Sequence, residues 1–141
     1  MRLLSNRWAM AWAALTAAFA LHVLDEATHD FLAWYNPNAR AIRERLGEQW
    51  FPPVFTFPVW ISGLCAAIVL LAALTPALRE RRRSLVVAAY GYAGIHILNG
   101  LGHLTVSISG RFIAPGTLSA PVLLAAAVWL IVETRRVHDS H

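Results

Sequence analysis

The sequence has no lysine, one cysteine and few charges of either sign: Asp, Glu, Lys and Arg together make up 14% of the chain. Soluble domains carry about 25%, so a soluble domain of 141 residues built this way could not cover its surface with polar side chains. The lone Cys65 excludes a disulfide framework and, inside an apolar stretch, reads as a small buried hydrophobe. No HExxH occurs, which excludes a standard zincin. No serine or threonine stands in a recognisable nucleophile elbow. The histidines are too few for a di-iron membrane oxygenase. Basic clusters of the kind that bind nucleic acid are also missing. The net charge of +4 comes from arginines set at or beyond the ends of apolar runs, so nucleic acid is not expected as a partner.

What the chain does have is hydrocarbon, 57% of its residues. Crossing a hydrocarbon core of about 30 Å takes roughly 20 apolar residues in a helix. Four stretches qualify, about Trp8–His29, Val54–Thr75, Ser84–Ser107 and Thr117–Glu133. The expected fold is all-α, a four-transmembrane-helix bundle in one domain spanning residues 1–141. Residues 1–20 carry Arg2, Arg7 and an Ala18-Phe19-Ala20 pattern that imitates a signal-peptide cleavage site. The apolar run continues to Leu24, so the segment is expected to stay as the first span.

The N-terminus, the second loop (Arg79, Arg81, Arg82, Arg83) and the C-terminus (Arg135, Arg136) hold more arginine than the first and third loops (Arg40, Arg43, Arg45, Arg111). Positive-inside then puts both termini in the cytoplasm, in a bacterial inner membrane. Arg111 reads as an interfacial anchor, and His138 and His141 as a solvated tail. In the first loop, Asn36-Pro37 reads as a cap with proline at the first helical position. Ala39, Ile42, Leu46 and Trp50 follow at helical spacing, predicting a short amphipathic helix along the membrane surface. Trp34, Tyr35, Trp50, Phe51, Phe55 and Trp60 form one expected aromatic belt, and Trp8, Trp12 and Trp129 the other.

The second and fourth spans carry no charge before Glu133, whereas the first and third carry a polar stripe each. His22, Asp25, Glu26 and His29 fall within one face of a helix, as do His96, Asn99 and His103, with Tyr92 one turn earlier. At about 1.5 Å per residue, His22 and His29 lie roughly 21 and 31 Å along the first span. By the same measure, His96 and His103 lie roughly 18 and 28 Å along the third. The two spans run in one direction, so the stripes match in height and imply a single pocket. An ionisable group at mid-membrane costs about 2.5–3.5 kcal/mol on insertion scales. Helix packing alone is served more simply by small residues, such as Gly91, Gly94, Gly100 and Gly102. Adjacent Asp25 and Glu26 repel unless protonated, paired or bound to a cation. Imidazole and carboxylate together suit zinc, iron or manganese, and Glu26-Ala-Thr-His29 has the Glu-x-x-His spacing of metal-binding bundles.

His22-Val23-Leu24-Asp25-Glu26 resembles the signature of the HxxEE-motif integral membrane proteins. Downstream, Asn99-Gly100-Leu101-Gly102-His103 resembles that family's N-x-x-x-H element, and Pro115-Gly116 its Pro-Gly pair before the last span. The resemblance runs from about residue 15 to 130, with one departure: Asp25 stands where the pattern has its first glutamate. It implies a membrane-embedded site built on His22, Glu26 and His103, with Asp25 and Asn99 beside them. His29 and His96 lie outside the named motifs. The family, of uncharacterised function, implies no reaction.

Three functions follow as expectations. The first is a metal-dependent hydrolase of a lipid or isoprenoid-like substrate, with a divalent zinc or iron. His22, Glu26 and His103 would bind the metal, joined by His29 and His96 as further candidate ligands. Asp25 would act as general base, Glu26 would share the catalytic work, and Asn99 would orient water or a substrate oxygen. The second is a metal-free isomerase or cyclase in which a protonated Glu26 donates to a hydrophobic substrate. The third is a proton-coupled carrier or lipid-binding protein, for which a homodimer would complete the path. Membrane lipids and a hydrophobic small molecule are the expected partners.

Overall fold

The computed structural model describes residues 2–80 and 82–139, so Arg81 and His141 lie outside the described residues. Those residues form five α-helices and no strand: α1 (Arg2–Thr28), α2 (Phe31–Leu46), α3 (Phe57–Leu74), α4 (Arg83–Gly110) and α5 (Ala120–His138). A 3-10 helix, Thr75–Glu80, follows α3 directly. Three segments are long and apolar enough to cross a membrane: Asn6–Thr28, Phe57–Glu80 and Arg83–Gly110. The expected stretch at 117–133 is not among them. Its helix begins later and runs on through Glu133, Arg135 and Arg136.

α5 packs along both α1 and α4. It is antiparallel to α1, since Trp8 Nε1 donates to Thr134 Oγ1 at one end (3.0 Å) and Ser119 N donates to Asp25 Oδ2 at the other (2.9 Å). α1 and α4 run parallel and meet through rings rather than through backbone. Trp12 lies against Tyr92, Phe19 against His96 and His22 against His103, with centroids 4.8, 4.5 and 4.8 Å apart. The heights of the two polar stripes therefore correspond, as the rise per residue predicts. Almost none of α3 is buried, so it lies at the edge of the bundle. Trp12 Nε1 donates to its Leu71 carbonyl (2.8 Å).

Several local expectations change. α2 starts six residues before Pro37, which sits inside it, and Asn36 is not a cap. The Asn36 side chain instead holds the backbone of Phe55, donating to its carbonyl (2.9 Å) and accepting from its N–H (3.1 Å). Ala39 is the buried residue of α2, while Ile42 and Leu46 face outward. Trp8 and Trp12 are fully buried rather than lying in a belt. Each indole fills the space beside α1 and finds an acceptor for its N–H, which a buried indole requires. Cys65 is exposed, because α3 buries so little. At the far end of the bundle, buried Glu133 receives Arg136 (2.7 Å) and Arg7 (3.2 Å).

Two glycines of α4 make close approaches: Gly110 to the Phe112 ring, 2.5 Å from where its Cβ would stand, and Gly100 to α5. A Cβ there would lie 2.8 Å from Leu124 Cγ and 3.4 Å from the Ala120 carbonyl, whereas Gly91, Gly94 and Gly102 meet nothing within 4 Å. Gly100→Val should cost about 1–3 kcal/mol by overpacking the α4–α5 seam, and Gly102→Ala should not. Thermal unfolding of both variants in detergent micelles measures the difference.

Candidate functional site

α1 supplies the first wall of the site. Its last turns bury His22, Asp25 and Glu26 on the face toward α4 and α5. His22 Nε2 and Glu26 Oε1 stand 3.6 Å apart, one helical turn from each other. From α4, His103 brings its Nε2 to 3.1 Å from the same oxygen. The three side chains form a buried group whose donor atoms all lie within 4.8 Å of one another, and which could hold a metal ion. His22 Nε2 has no hydrogen-bond partner among the described residues.

The two spacings to Glu26 suit an ion. A tetrahedral centre with bonds of about 2.0–2.1 Å separates its ligand atoms by roughly 3.4 Å. The distances of 3.1 and 3.6 Å to Glu26 Oε1 bracket that spacing. Two imidazoles and one carboxylate are also a donor set found with catalytic zinc and non-haem iron.

The loop between α4 and α5 forms the second wall. Gly116 has φ +85°, and a Cβ on it would come within 2.8 Å of the Cε1 atoms of both His22 and His103. Only glycine satisfies both the conformation and the space. Ser107 and Thr117 hold this loop to α4, their hydroxyls 2.6 Å apart, and Ser107 Oγ accepts the Ala114 N–H at 2.9 Å. Ser119 then reaches back to α1. Its N–H and its hydroxyl both meet Asp25 Oδ2, at 2.9 and 2.7 Å, and its Oγ lies 2.8 Å from His22 Nδ1. Ser119 precedes α5 in the N-cap position, yet its side chain caps nothing in that helix.

The other candidates lie around this centre. Asp25 Oδ1 is 3.0 Å from Nδ1 of His29, which is half exposed beyond the end of α1. His96 is buried between Phe19 and Tyr92, its Nδ1 without a hydrogen-bond partner among the described residues, and stays outside the group of three. Asn99 is half-buried and lines a cleft of about 310 Å³ with Phe31, Trp34, Tyr35 and His103. Burial holds the Tyr35 phenol above its ordinary range, against the pull of Arg43, so it stays a neutral donor there.

Two further openings reach the centre. A cavity of about 260 Å³ touches Glu26 and Asp30 beneath Phe31, Phe57 and Trp60. On the opposite side, a groove of about 380 Å³ between α1 and α5 reaches Asp25 and Ser119 past Leu21, Leu24, Leu118 and Val122. Sequence reasoning missed Ser119 and Phe31, which packs 6.0 Å from the His103 ring. The Ser119-Ala120-Pro121 order is a helix-start signal that marks Ser119 as a cap. It gives no sign that the hydroxyl serves a neighbouring helix.

Gly116→Ala should displace both imidazoles without altering any donor atom, and so abolish any zinc binding that the group supports. It should also lower stability by about 1–3 kcal/mol through the strained backbone. Zinc titration beside thermal unfolding in the same detergent measures both.

Comparisons with known proteins bear on this geometry. No curated protein and no solved structure matches the chain. The model of a family described as a protein of unknown function with HXXEE motif matches residues 12–130. That interval contains every residue of the buried centre, and the chain belongs to the HXXEE-motif family.

Proposed function

We propose that the protein is a membrane-embedded, metal-dependent hydrolase of a lipid or isoprenoid-like substrate, with His22, Glu26 and His103 as its metal ligands. One observation carries the reading: three buried donor atoms within 4.8 Å of one another, one of them a ring nitrogen with no partner. A buried polar atom left unsatisfied costs roughly 1–3 kcal/mol, and a cation at that point removes the cost. A bound zinc or iron would polarise the scissile group and acidify water beside it. His29 and His96 fall outside the ligand set in this reading. Asp25, whose oxygens already hold Ser119 and His29, orients the site rather than acting as its base.

The openings support an apolar substrate. The α1–α5 groove is lined by leucine and valine, whereas the cavity at Glu26 and Asp30 is the more polar approach, suited to water. In this reading α5 is the fourth span, about 28 Å long at 1.5 Å per residue, with Arg135 and Arg136 at the interface. Both termini then face the cytoplasm, in a bacterial inner membrane.

A metal-free acid–base reading draws on a different observation, that Glu26 Oε1 stands within 3.6 Å of two imidazole nitrogens and can share one proton with either. Elemental analysis of detergent-purified protein separates the two. The wild type should carry one zinc or iron per chain, and His22→Ala/His103→Ala should carry none. Sub-stoichiometric metal in both samples, with activity that survives strong chelators and disappears in Glu26→Gln, would establish the metal-free alternative.

A further inference from the structure

Ser119 lies between Asp25 and His22, and its single hydroxyl proton has three acceptors in reach. Asp25 Oδ2 is at 2.7 Å, His22 Nδ1 at 2.8 Å and the Gly116 carbonyl at 3.1 Å. The carboxylate wins this competition. Hydrogen bonds to an ionised acceptor are roughly twice as strong as neutral ones. Were the proton given to His22, two acceptor oxygens would stand 2.7 Å apart with nothing between them.

With its proton on Asp25, Ser119 can only accept from His22. The ring must then carry its hydrogen on Nδ1, which leaves a lone pair on Nε2. That nitrogen is buried, has no hydrogen-bond partner among the described residues, and points toward Glu26 Oε1 at 3.6 Å. A tautomer is set by the bond that the other ring nitrogen makes, and here that bond is to Ser119.

We propose that Ser119 is a positioning residue that, backed by Asp25, fixes the His22 tautomer so that Nε2 is free to ligate a cation. Metal-ligating histidines commonly depend on such an outer partner, whose loss costs about 10–100-fold in affinity. This also gives the shorter carboxylate of Asp25 a definite task. It meets the Ser119 N–H and hydroxyl together, and Glu26 alone of the adjacent acids faces the two imidazole Nε2 atoms. The affinity consequence rests on the metal reading of the centre. The tautomer does not, so the two can fail separately.

The test uses the full chain in detergent micelles, with ¹⁵N-labelled histidine to read the ring nitrogens of His22 and a zinc titration against a competing chelator. Metal-free wild type should show a protonated Nδ1 and an unprotonated Nε2. Ser119→Ala should lose that signature and weaken zinc binding about 10–100-fold, and Ser119→Thr should keep both. Asp25→Ala is the sharper variant. With no carboxylate to take the Ser119 hydroxyl proton, Ser119 can donate to His22 Nδ1, and the ring proton then moves to Nε2. A protonated Nε2 in the neutral His22 of the wild type overturns the proposal. So does a Ser119→Ala variant with wild-type tautomer and wild-type affinity. If the wild type binds no zinc, the metal reading falls and the nitrogen signature alone decides the relay.

Discussion

The Asp25 carboxylate takes both the N–H and the hydroxyl of Ser119, and these bonds fasten the start of α5 to the last turns of α1. Everything around the centre depends on that junction. It sets where the Pro115-Gly116 turn lies, and that turn is the surface on which the His22 and His103 rings rest. It also places the first turn of a helix against an anion, where the exposed N–H groups and the helix dipole favour negative charge. In a hydrocarbon setting such a bond has no water to compete with it, and a lone carboxylate could not remain there.

The centre is a division of labour between two neighbouring acids. Asp25 turns toward α5 and is consumed by structure; Glu26 turns toward α4 and remains between two imidazoles. Neighbouring residues on a helix point about 100° apart, so adjacent carboxylates can serve different partners without meeting. Their apparent repulsion in the sequence is removed by this divergence and by the donors each one finds. The openings follow the same split, with the apolar groove ending on Asp25 and the more polar cavity on Glu26.

Much of this was legible in the residues. The periodicity of His22, Asp25, Glu26 and the matching height of His103 were enough to bring the two stripes together, because helical rise and angle are fixed by backbone geometry. Three things were not legible. Asn36-Pro37 imitates a helix start, but α2 already begins at Phe31 and the Asn36 side chain is taken by the backbone of Phe55. Trp8 and Trp12 carry the composition of a membrane-interface belt, but the space beside α1 takes them inward. His96 shares a helical face with His103, yet packing against Phe19 and Tyr92 gives it a different neighbourhood two turns away. Angular position on one helix says which side a residue faces, and the partner helix decides what it meets.

The ring pairs between α1 and α4 also act as spacers. Trp12 with Tyr92 and Phe19 with His96 hold the two helices a ring pair apart along the same seam that, further on, holds His22 and His103. The width of the centre is thus inherited from its neighbours, much as the gap of a joint is set by the shims beside it. The calibre of the centre is a property of the whole seam, written largely in aromatic residues that contribute no donor atom.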